Sequence, residues 1–403
     1  MRSACAVALV AFVVGGTVPR AGDVQSAAPA PITIPFELVS RHIIVPVRVN
    51  RSRPLSFVLD TGATRAIIRM DVAKELGLSL EGNVSGGGAG EGRQTGQLVK
   101  GATWSLVGLE RVSQPVVLAL PMPELSPALG RDVDGIIGGE FLRQFVVETD
   151  YQARFIRFHD PRTFVYHGAG EMVPIEFTPD GHPAVKATVT PQGASPIERS
   201  FMFDIGSGAA LVLHSPFVAE YRLPGPDVKT LRAIGGAGAG GRTAGRLGRV
   251  AALKIGSFSI SNPITLFSED KAGAFANPSL AGNIGARIAS RFRIFFDYGR
   301  RRMILETSPT FAEPIDYAFS GIALRAERPD YHTFRVREVL EASPATEAGL
   351  AVGDVIVSVD GTTADKLTLA AINEMLERPV ARELVIRRGE ETIRTTLTPK
   401  RLI

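Results

Sequence analysis

The stretch Phe57-Val58-Leu59-Asp60-Thr61-Gly62-Ala63 decides the fold, and an altered copy follows as Phe201-Met202-Phe203-Asp204-Ile205-Gly206-Ser207. In each copy an apolar run typical of a buried strand ends at an aspartate and a glycine-bearing turn. An ionised carboxylate at the end of a buried strand needs a partner, so each aspartate is a candidate partner of the other. Two carboxylates that share one proton can hold an acid and a base in one site. We therefore predict that Asp60 and Asp204 lie together.

Further elements repeat behind both motifs in the same order. Each half has a glycine-rich segment closing with Gly-Arg-x-x-Gly-x-Leu, then an Ile-Gly turn, then a β-hairpin pattern containing Asp-Tyr. They are residues 86–98 and 235–247, Ile137-Gly138 and Ile284-Gly285, and Asp150-Tyr151 and Asp297-Tyr298. All these pairs, like the two aspartates, are separated by 144 to 149 residues. Such self-similarity predicts an internal duplication, with two β-rich lobes facing each other across a pseudo-two-fold axis.

The composition is that of an ordinary globular protein. Hydrophobic residues make up 45% and charged residues 21% of the 403 residues, and 45 basic against 41 acidic residues leave a net charge of +4. These charges are dispersed, which argues against a nucleic-acid-binding protein. The 6 histidines lack metal-ligand spacing, and His214 is interpreted as a strand or surface residue. We therefore predict no metal site, no cofactor and no nucleic-acid partner.

The N-terminus has the features of a secretory signal. Met1-Arg2 gives a positive start, and residues 4–14 form an apolar run shorter than the roughly 20 residues of a membrane-spanning helix. Cys5, the single cysteine, lies inside this run. We predict an exported protein, periplasmic or secreted and of a bacterial envelope, with no stable membrane span after signal cleavage. An uncleaved anchor is the alternative.

The sequence changes character from about Tyr317. Ser343-Pro344-Ala345-Thr346-Glu347-Ala348-Gly349-Leu350 predicts a Ser-capped helix that ends at glycine, and Gly353-Asp354-Val355-Ile356-Val357-Ser358-Val359-Asp360-Gly361 predicts a strand between two turns. We therefore predict a separate C-terminal module. The predicted division is signal peptide and lead-in, residues 1–30; lobe 1, residues 31–162; lobe 2, residues 163–310; and the C-terminal module, residues 316–403.

Residues 36–307 resemble the aspartic peptidases of the retropepsin and pepsin-like type. The resemblance is carried by the two aspartate motifs and the hydrophobic-hydrophobic-Gly elements downstream of them. It implies a mainly β fold of two fused lobes with pseudo-two-fold symmetry, in which Asp60 and Asp204 are the catalytic pair. The catalytic loops would be supported by Thr61, Gly62, Gly206 and Ser207. The flaps that cover the cleft and contact substrate would include Gly86, Gly87, Gly88, Gly235 and Gly236; a flexible linker is the alternative for these glycines.

The two aspartate loops differ at two positions. Ile205 stands where the resemblance implies a Thr or Ser that braces the opposite loop, so Thr61 can donate its hydroxyl but Ile205 cannot return the bond. Ser207 can offer a hydroxyl to Asp204, whereas Ala63 offers nothing to Asp60. We therefore predict that Asp204 is the more readily ionised aspartate and that Asp60 more often carries the proton.

The C-terminal module resembles a PDZ domain, a small α+β domain, through its Ser-Pro-Ala-x-x-Ala-Gly-Leu and Gly-Asp-x-Ile-x-x-Val-Asp-Gly patterns. The resemblance implies that a peptide adds as a strand to a sheet edge and that main-chain N–H groups hold the C-terminal carboxylate of that peptide. The corresponding turn is Phe319, Ser320, Gly321 and Ile322. The expected partners are therefore peptide C-termini or extended segments.

Together these features predict an aspartic endopeptidase that hydrolyses peptide bonds in polypeptides with a water activated between two aspartates, and with a PDZ domain for substrate or partner recognition. The alternative is a catalytically inactive, protease-like adaptor that binds peptides through its PDZ domain. A third hypothesis is that the PDZ domain binds the C-terminus of its own chain, residues 400–403. The substrate, the cleavage preference and the oligomeric state stay open.

Overall fold

The fold is seen in a computed structural model, which describes residues 30–106, 108–113, 116–233 and 236–403. The predicted signal peptide, with Cys5, and Gly235 lie outside these residues. The mainly β fold class predicted from the sequence is confirmed.

In its described residues, lobe 1 is built of strands and three short helices. In chain order these are β1 (Ile32–Pro35), β2 (Glu37–Val39), β3 (His42–Val49), β4 (Leu55–Leu59), β5 (Ala66–Arg69), α1 (Met70–Glu75), β6 (Ser79–Gly87), β7 (Arg93–Lys100), β8 (Thr103–Leu106), β9 (Leu109–Ser113), β10 (Val117–Leu120), α2 (Leu125–Leu129), β11 (Gly135–Ile137), α3 (Gly139–Leu142), β12 (Val146–Asp150) and β13 (Phe155–His159).

Lobe 2 follows the same plan. Its elements are β14 (Glu171–Pro174), β15 (Glu176–Phe177), β16 (Pro183–Thr190), β17 (Ile197–Asp204), β18 (Leu211–Leu213), α4 (Ser215–Glu220), β19 (Leu231–Arg232), β20 (Ala237–Gly238), β21 (Gly241–Arg242), β22 (Gly245–Arg249), β23 (Ala252–Ile255), β24 (Phe258–Ser261), β25 (Ile264–Ser268), a 3₁₀ turn (Ala274–Ala276), β26 (Gly282–Gly285), α5 (Ala286–Ala289), β27 (Phe292–Asp297) and β28 (Arg302–Thr307).

The C-terminal module consists of β29 (Ile322–Glu327), β30 (Thr333–Val339), α6 (Pro344–Glu347), β31 (Val355–Val359), β32 (Thr362–Thr363), a 3₁₀ turn (Ala364–Lys366), α7 (Leu369–Leu376), β33 (Arg382–Arg388) and β34 (Glu391–Leu397). The predicted cap is present, because Ser343 and Thr346 form a reciprocal capping box at the start of α6. The sheet order is β29-β30-β31-β33-β34, so β29 is an edge strand.

The sheets of the two lobes have equivalent strand orders. Within the described residues, lobe 1 runs β6-β7-β10-β5-β11-β4-β3-β8-β9 and lobe 2 runs β19-β22-β25-β18-β26-β17-β16-β23-β24. In both, the strand before the aspartate lies parallel to a short strand from later in the same lobe: β4 pairs with β11, and β17 pairs with β26. The matching orders agree with the predicted internal duplication, which stays a prediction.

A separate sheet joins the lobes. Its order is β1-β13-β12-β27-β28-β14, and the antiparallel pair β12 and β27 makes the junction. Buried Glu148 on β12 accepts hydrogen bonds from Arg157 (3.0 Å) and His159 (2.8 Å) of its own lobe and from Nε of Arg293 (2.8 Å) of the other lobe. One hydrophobic core runs through both lobes, so their relative position is set by packing as well as by this sheet.

The C-terminal module has its own core and contacts both lobes. Glu377 just after α7 accepts hydrogen bonds from Arg41 of lobe 1 and Arg287 of lobe 2. On another side, α2 of lobe 1 packs along the edge strand β29. Among the described residues, no helix is both long enough and apolar enough to cross a membrane.

Candidate active site

The two aspartates stand at the ends of equivalent buried strands. Asp60 directly follows β4, and its main-chain N–H donates to the carbonyl oxygen of Ile137 at 3.0 Å. The Asp60 loop is closed from behind by the N–H of Gly139, which donates to Ala63 at 2.7 Å. In lobe 2 the N–H of Ala286 donates to Ser207 at 2.7 Å in the same way. The Ile-Gly elements therefore support the two loops from behind.

Glycine is required where these elements pass the loops. A Cβ added at Gly138 would lie 2.2 Å from the carbonyl oxygen of Arg65, and one at Gly285 would lie 2.3 Å from that of Ala209. Both distances are far shorter than a contact that carbon and oxygen tolerate, so a side chain at either position would push the aspartate loop forward.

The structure brings Asp60 and Asp204 together across the junction of the lobes. A Cβ added at Gly62 would lie 2.7 Å from Cγ of Asp204, and one at Gly206 would lie 2.2 Å from Cγ of Asp60. Each carboxyl group therefore packs against the glycine of the opposite loop. Only glycine permits this approach, which explains why both motifs carry glycine two residues after the aspartate.

The main chain holds both carboxyl groups in place. Oδ1 of Asp60 accepts hydrogen bonds from the N–H groups of Gly62 (2.7 Å) and Ala63 (3.1 Å). Oδ1 of Asp204 accepts one from the N–H of Gly206 at 3.0 Å. The main chain of each loop therefore orients the carboxyl group of its own aspartate.

Burial and proximity oppose ionisation of the pair. Burial, followed by the charge of Asp204, raises the pKa of Asp60 to about 8. Burial also raises the pKa of Asp204, but a hydrogen bond from Asn283 and one shared with Asp60 act in the opposite direction. Two carboxyl groups this close favour sharing one proton, and the hydrogen bonds of Asp204 with Asn283 and Asp60 favour the charge on Asp204. That Asp204 is the more readily ionised aspartate stays a prediction, which the direction of these hydrogen-bond effects favours.

The cause of the asymmetry differs from the one predicted. Among the described residues, the Ser207 hydroxyl makes no hydrogen bond to Asp204; the main-chain N–H of Ser207 instead donates to the carbonyl oxygen of Asp204 at 3.2 Å. The side chain that donates to Asp204 is the amide of Asn283, at 2.7 Å from Oδ2. Ser207 lies in the loop as predicted, but its hydroxyl does not perform the predicted task.

Thr61 braces the lobes without a partner hydroxyl. Its Oγ1 donates to the carbonyl oxygen of Phe203 at 2.7 Å and accepts from the N–H of Ile205 at 3.0 Å, both in the opposite lobe. Thr61 is 1% and Ile205 is 0% exposed. The side chain of Ile205 therefore contributes packing, and Thr61 makes both polar contacts to the lobe 2 loop.

The two glycine-rich segments meet. Gly86 and Gly87 end β6, and Gly88 follows in the turn of the β6–β7 hairpin. The tip of this hairpin contacts the glycine-rich segment of lobe 2: the N–H of Gly92 donates to Gly240 at 2.7 Å and the N–H of Gly240 donates to Ala89 at 2.8 Å. These regular main-chain contacts do not fit a flexible linker. Gly236 precedes β20, and Gly235 lies outside the described residues.

The predicted carboxylate-binding turn of the C-terminal module is partly engaged within the chain. The N–H of Phe319 donates to the carbonyl oxygen of Lys400 at 2.8 Å, and the carbonyl oxygen of Ser320 accepts from Ala345 at 2.9 Å. Gly321 has a φ of 84°, which favours glycine. The N–H of Ile322 faces Oγ of Ser320 at 3.4 Å. The turn therefore cannot offer all of its N–H groups to a ligand.

The edge of β29 beside this turn is covered by lobe 1. Tyr331 donates its hydroxyl to Asp132 at 2.8 Å, and Arg337 pairs with Glu124 at 3.1 Å. A Cβ added at Gly130, just after α2, would lie 2.6 Å from Cβ of Leu369 at the start of α7. The segment around α2 thus lies against both β29 and α7.

The comparisons with known proteins identify two regions. Residues 45–141 match the family described as aspartyl protease, and residues 335–388 match the family described as PDZ domain. The chain combines an aspartyl protease-like region with a PDZ domain. Both resemblances expected from the sequence are confirmed. Within the described residues, no group of three or more His, Cys, Asp or Glu is arranged to hold a metal ion.

Curated relatives match over short segments. Serine protease HTRA1 of Xenopus laevis is 40% identical over 65 residues, which are 16% of this chain and 14% of that protein. Carboxyl-terminal-processing peptidase 2, chloroplastic, of Arabidopsis thaliana is 46% identical over 61 residues, which are 15% of this chain and 12% of that protein. The chain thus spans less than a sixth of the length of either relative.

Two solved structures resemble most of the chain. The aspartic proteinase from Irpex lacteus aligns with a TM-score of 0.47 at 14% identity, covering 71% of this chain and 100% of that one. Basic 7S globulin from soybean aligns with a TM-score of 0.42 at 12% identity, covering 69% of this chain and 95% of that one.

Sequence reasoning missed two residues beside the aspartates, Asn283 and His214. Asn283 is 3% exposed, and its position in β26 corresponds to that of Ile136 in β11. His214 is 1% exposed and faces Oδ1 of Asn283 at 2.8 Å, so its interpretation as a strand or surface residue overlooked this contact. A polar residue in one copy of a repeated apolar element was the available signal.

Proposed function

We propose that the chain is an aspartic endopeptidase that hydrolyses polypeptides with a water activated between Asp60 and Asp204. The observation that carries the proposal is the meeting of two carboxyl groups, half-buried Asp60 and buried Asp204, each against the glycine of the opposite loop, with the pKa of Asp60 raised to about 8 by desolvation and by Asp204. A pair that shares one proton supplies a general base and a general acid at the same point.

The asymmetry of the pair assigns the roles in the proposed reaction. The Asp204 carboxylate takes a proton from the water, whose oxygen forms a bond to the carbonyl carbon of the substrate. Asp60 donates its proton to the carbonyl oxygen. Collapse of the tetrahedral intermediate breaks the C–N bond as Asp204 passes the proton taken from water to the leaving amine, and a hydroxyl of the intermediate returns a proton to Asp60, which restores the starting pair. This sequence of steps uses only side chains and water.

The pH dependence follows from the same assignment. Hydrolysis should fall on the acidic side as Asp204 gains a proton, and on the alkaline side as Asp60, with a pKa raised to about 8, loses its own. These limbs report macroscopic values of the coupled pair. We therefore expect activity that extends to neutral pH.

The test is hydrolysis of unfolded casein from about pH 3 to pH 8 by the mature chain and by Asp60→Asn and Asp204→Asn. We expect both variants to lose at least ~10³-fold in rate, because either amide prevents the exchange of roles. Asp150→Asn is the matched control, since Asp150 accepts hydrogen bonds from the N–H groups of Gln152 and Ala153 in a hairpin turn. Activity that survives both dyad substitutions would overturn the proposal. No hydrolysis by the parent would favour the alternative, an inactive peptide-binding adaptor.

We also propose that the PDZ domain binds peptide C-termini or extended segments along β29. Since α2 covers this edge, an added strand has to displace α2.

The double variant Glu124→Ala, Asp132→Ala weakens the cover by removing the partners of Arg337, Arg328 and Tyr331. We expect it to bind a synthetic peptide of residues 121–134 at least ~10-fold more tightly than the parent. Glu374→Ala, which removes an exposed pair with Arg378 within the domain, is the control. Equal affinities in all three proteins would contradict binding at this edge.

Export is proposed on the residue pattern of the N-terminus alone. Expression of the full chain in a bacterium, followed by separation of periplasm and cytoplasm, tests it. A full-length product that stays in the cytoplasm would contradict the proposal.

A further inference from the structure

The two strands that support the aspartate loops differ at their central residue. Asn283 pairs with Met202 in β26–β17, and Ile136 pairs with Val58 in β11–β4. The two positions are therefore equivalent in the equivalent sheets. A polar amide lies behind one aspartate, and an apolar side chain lies behind the other.

The Asn283 amide makes a directed contact with the dyad. Its Nδ2 donates to Oδ2 of Asp204 at 2.7 Å, and the side chain is 3% exposed. An amide N–H can only donate, so the contact favours an Asp204 oxygen that carries no proton.

His214 determines which way the Asn283 amide points. Its Nε2 lies 2.8 Å from Oδ1 of Asn283, and the ring is 1% exposed and packs against Phe275 with ring centroids 5.6 Å apart. Both ring nitrogens face oxygens that only accept, Nε2 the Asn283 Oδ1 at 2.8 Å and Nδ1 the Asn277 carbonyl at 3.2 Å, and we assign the single hydrogen of the neutral ring to Nε2 because its contact is the shorter. Turning the amide over would place its oxygen against the Asp204 carboxylate and its NH₂ against the imidazole N–H, so both contacts would be lost.

Among the described residues, other titratable groups act electrostatically on Asp204. They are Asp60 from the opposite loop, His42 on β3, Tyr151 after β12 and His214 itself. Burial lowers the pKa of His42 and of His214 below the ordinary value of 6.5, and burial raises the pKa of Tyr151. These three groups are therefore neutral near pH 7, and Asp60 is the group that exchanges a proton with Asp204.

We propose that Asn283, oriented by His214, is a positioning residue that keeps Asp204 ionised and thereby makes Asp204 the base and Asp60 the acid. The inference rests on the proposed peptidase function for its kinetic consequences, but not for its electrostatic ones. Ile136 behind Asp60 supplies no such donor, so the pair is asymmetric although the backbone around it is symmetric.

The kinetic test compares the pH profile of kcat/KM for the parent and for Asn283→Ile, which places the lobe 1 residue in lobe 2. Loss of a hydrogen bond to a charged group should move the acidic limb upward by about 1–2 pH units. At a pH below the acidic limb of the parent this corresponds to a loss of roughly 10- to 100-fold, whereas the rate on the plateau falls less. Asn373→Ala in α7 is the control and should leave the profile unchanged.

Two substitutions at His214 separate orientation from packing. His214→Phe keeps an aromatic ring against Phe275 but removes the donor, and should move the acidic limb upward by a smaller amount than Asn283→Ile. His214→Gln restores an N–H near the position of Nε2 and should return the limb toward that of the parent. A purely structural role would lower kcat equally at all pH values, and His214→Phe and His214→Gln would then behave alike.

A titration that needs no turnover distinguishes failure of this inference from failure of the proposed function. Aspartate carboxyl carbons labelled with ¹³C are followed by NMR in the parent and in Asn283→Ile. An unchanged lower titration step of the pair, or an unchanged acidic limb in an active parent, overturns the role of Asn283. A raised lower step in a parent that hydrolyses nothing supports the role of Asn283 while the peptidase proposal fails.

Discussion

Lobe 1 and lobe 2 present the same backbone to the dyad and different side chains. In lobe 1, Thr61 reaches across and bonds to two main-chain groups, and apolar Ile136 lies behind the aspartate. In lobe 2, Ile205 offers only packing, and Asn283 donates to the aspartate. The difference teaches that a symmetric scaffold can hold two carboxyl groups together while unequal neighbours give them different proton affinities.

The first prediction concerns the close approach that both lobes share. Gly206→Ala and Gly62→Ala should each lower kcat by at least ~100-fold, because a displacement of the order of 1 Å at the reacting groups costs about that much. The loss of kcat should be larger for Gly206→Ala, since its Cβ would lie 2.2 Å from Cγ of Asp60, whereas a Cβ at Gly62 would lie 2.7 Å from Cγ of Asp204. The measurement is steady-state hydrolysis, with Gly299→Ala as control, because nothing lies within 4 Å of a Cβ there. Full activity in both dyad-loop variants would show that the lobes tolerate a wider separation.

The second prediction tests the bracing by Thr61. Thr61→Val leaves the N–H of Ile205 and the carbonyl oxygen of Phe203 buried without this partner, so we expect a loss of about 2–4 kcal/mol in the free energy of unfolding. Ile205→Val, the matched change in the other lobe, should cost about 0.5–1.5 kcal/mol. Urea unfolding of both variants measures the difference. Equal losses would mean that the hydroxyl contributes no more than packing does.

The third prediction concerns how the dyad makes the free energy of unfolding of the protein depend on pH. The pKa of Asp60 rises from 3.8 to about 8 on folding, so this group favours the folded state fully below about pH 4 and loses that contribution as the pH rises to about 8. Asparagine does not titrate, so Asp60→Asn should be more stable than the parent at pH 7.5, by roughly 1–3 kcal/mol, and not at pH 3.5. Urea unfolding at both pH values, with Asp150→Asn as control, checks the sign. A gain that is the same at both pH values would have another cause.

The fourth prediction concerns the contact of lobe 1 with the PDZ domain. Gly130 and Gly77 both have positive φ, 67° and 63°, but only Gly130 approaches Leu369. Each alanine substitution should cost about 1–2 kcal/mol for the left-handed backbone, and Gly130→Ala about 1–3 kcal/mol more for overpacking. Thermal unfolding of the two variants is the measurement, and the difference between their losses of stability is the cost of overpacking against Leu369. Identical losses would mean that the PDZ domain shifts at this contact and accommodates the added methyl group without cost.

Several features could be predicted from the sequence because they depend on local pattern. The apolar runs, the Asp-x-Gly turns and the spacing of the repeats predicted two equivalent strand ends, and the predicted capped helix after Ser343 is present as α6. The brace by Thr61 and the absent hydroxyl at Ile205 also followed from residue type. By contrast, no local rule connects Asn283 with Asp204, which lies 79 residues away in the chain.

The sequence by itself determined the mainly β fold, the two aspartate loops and the PDZ domain, since periodicity and turn chemistry act over a few residues. Only the tertiary structure decided which side chain tunes which aspartate. Ser207 lies three residues after Asp204 in the sequence, but its hydroxyl makes no hydrogen bond to Asp204. Asn283 lies on the parallel strand β26 and contacts both Asp204 and His214. Hydrogen bonds depend on distance and direction in space, and the parallel pairing of β17 with β26 provides both.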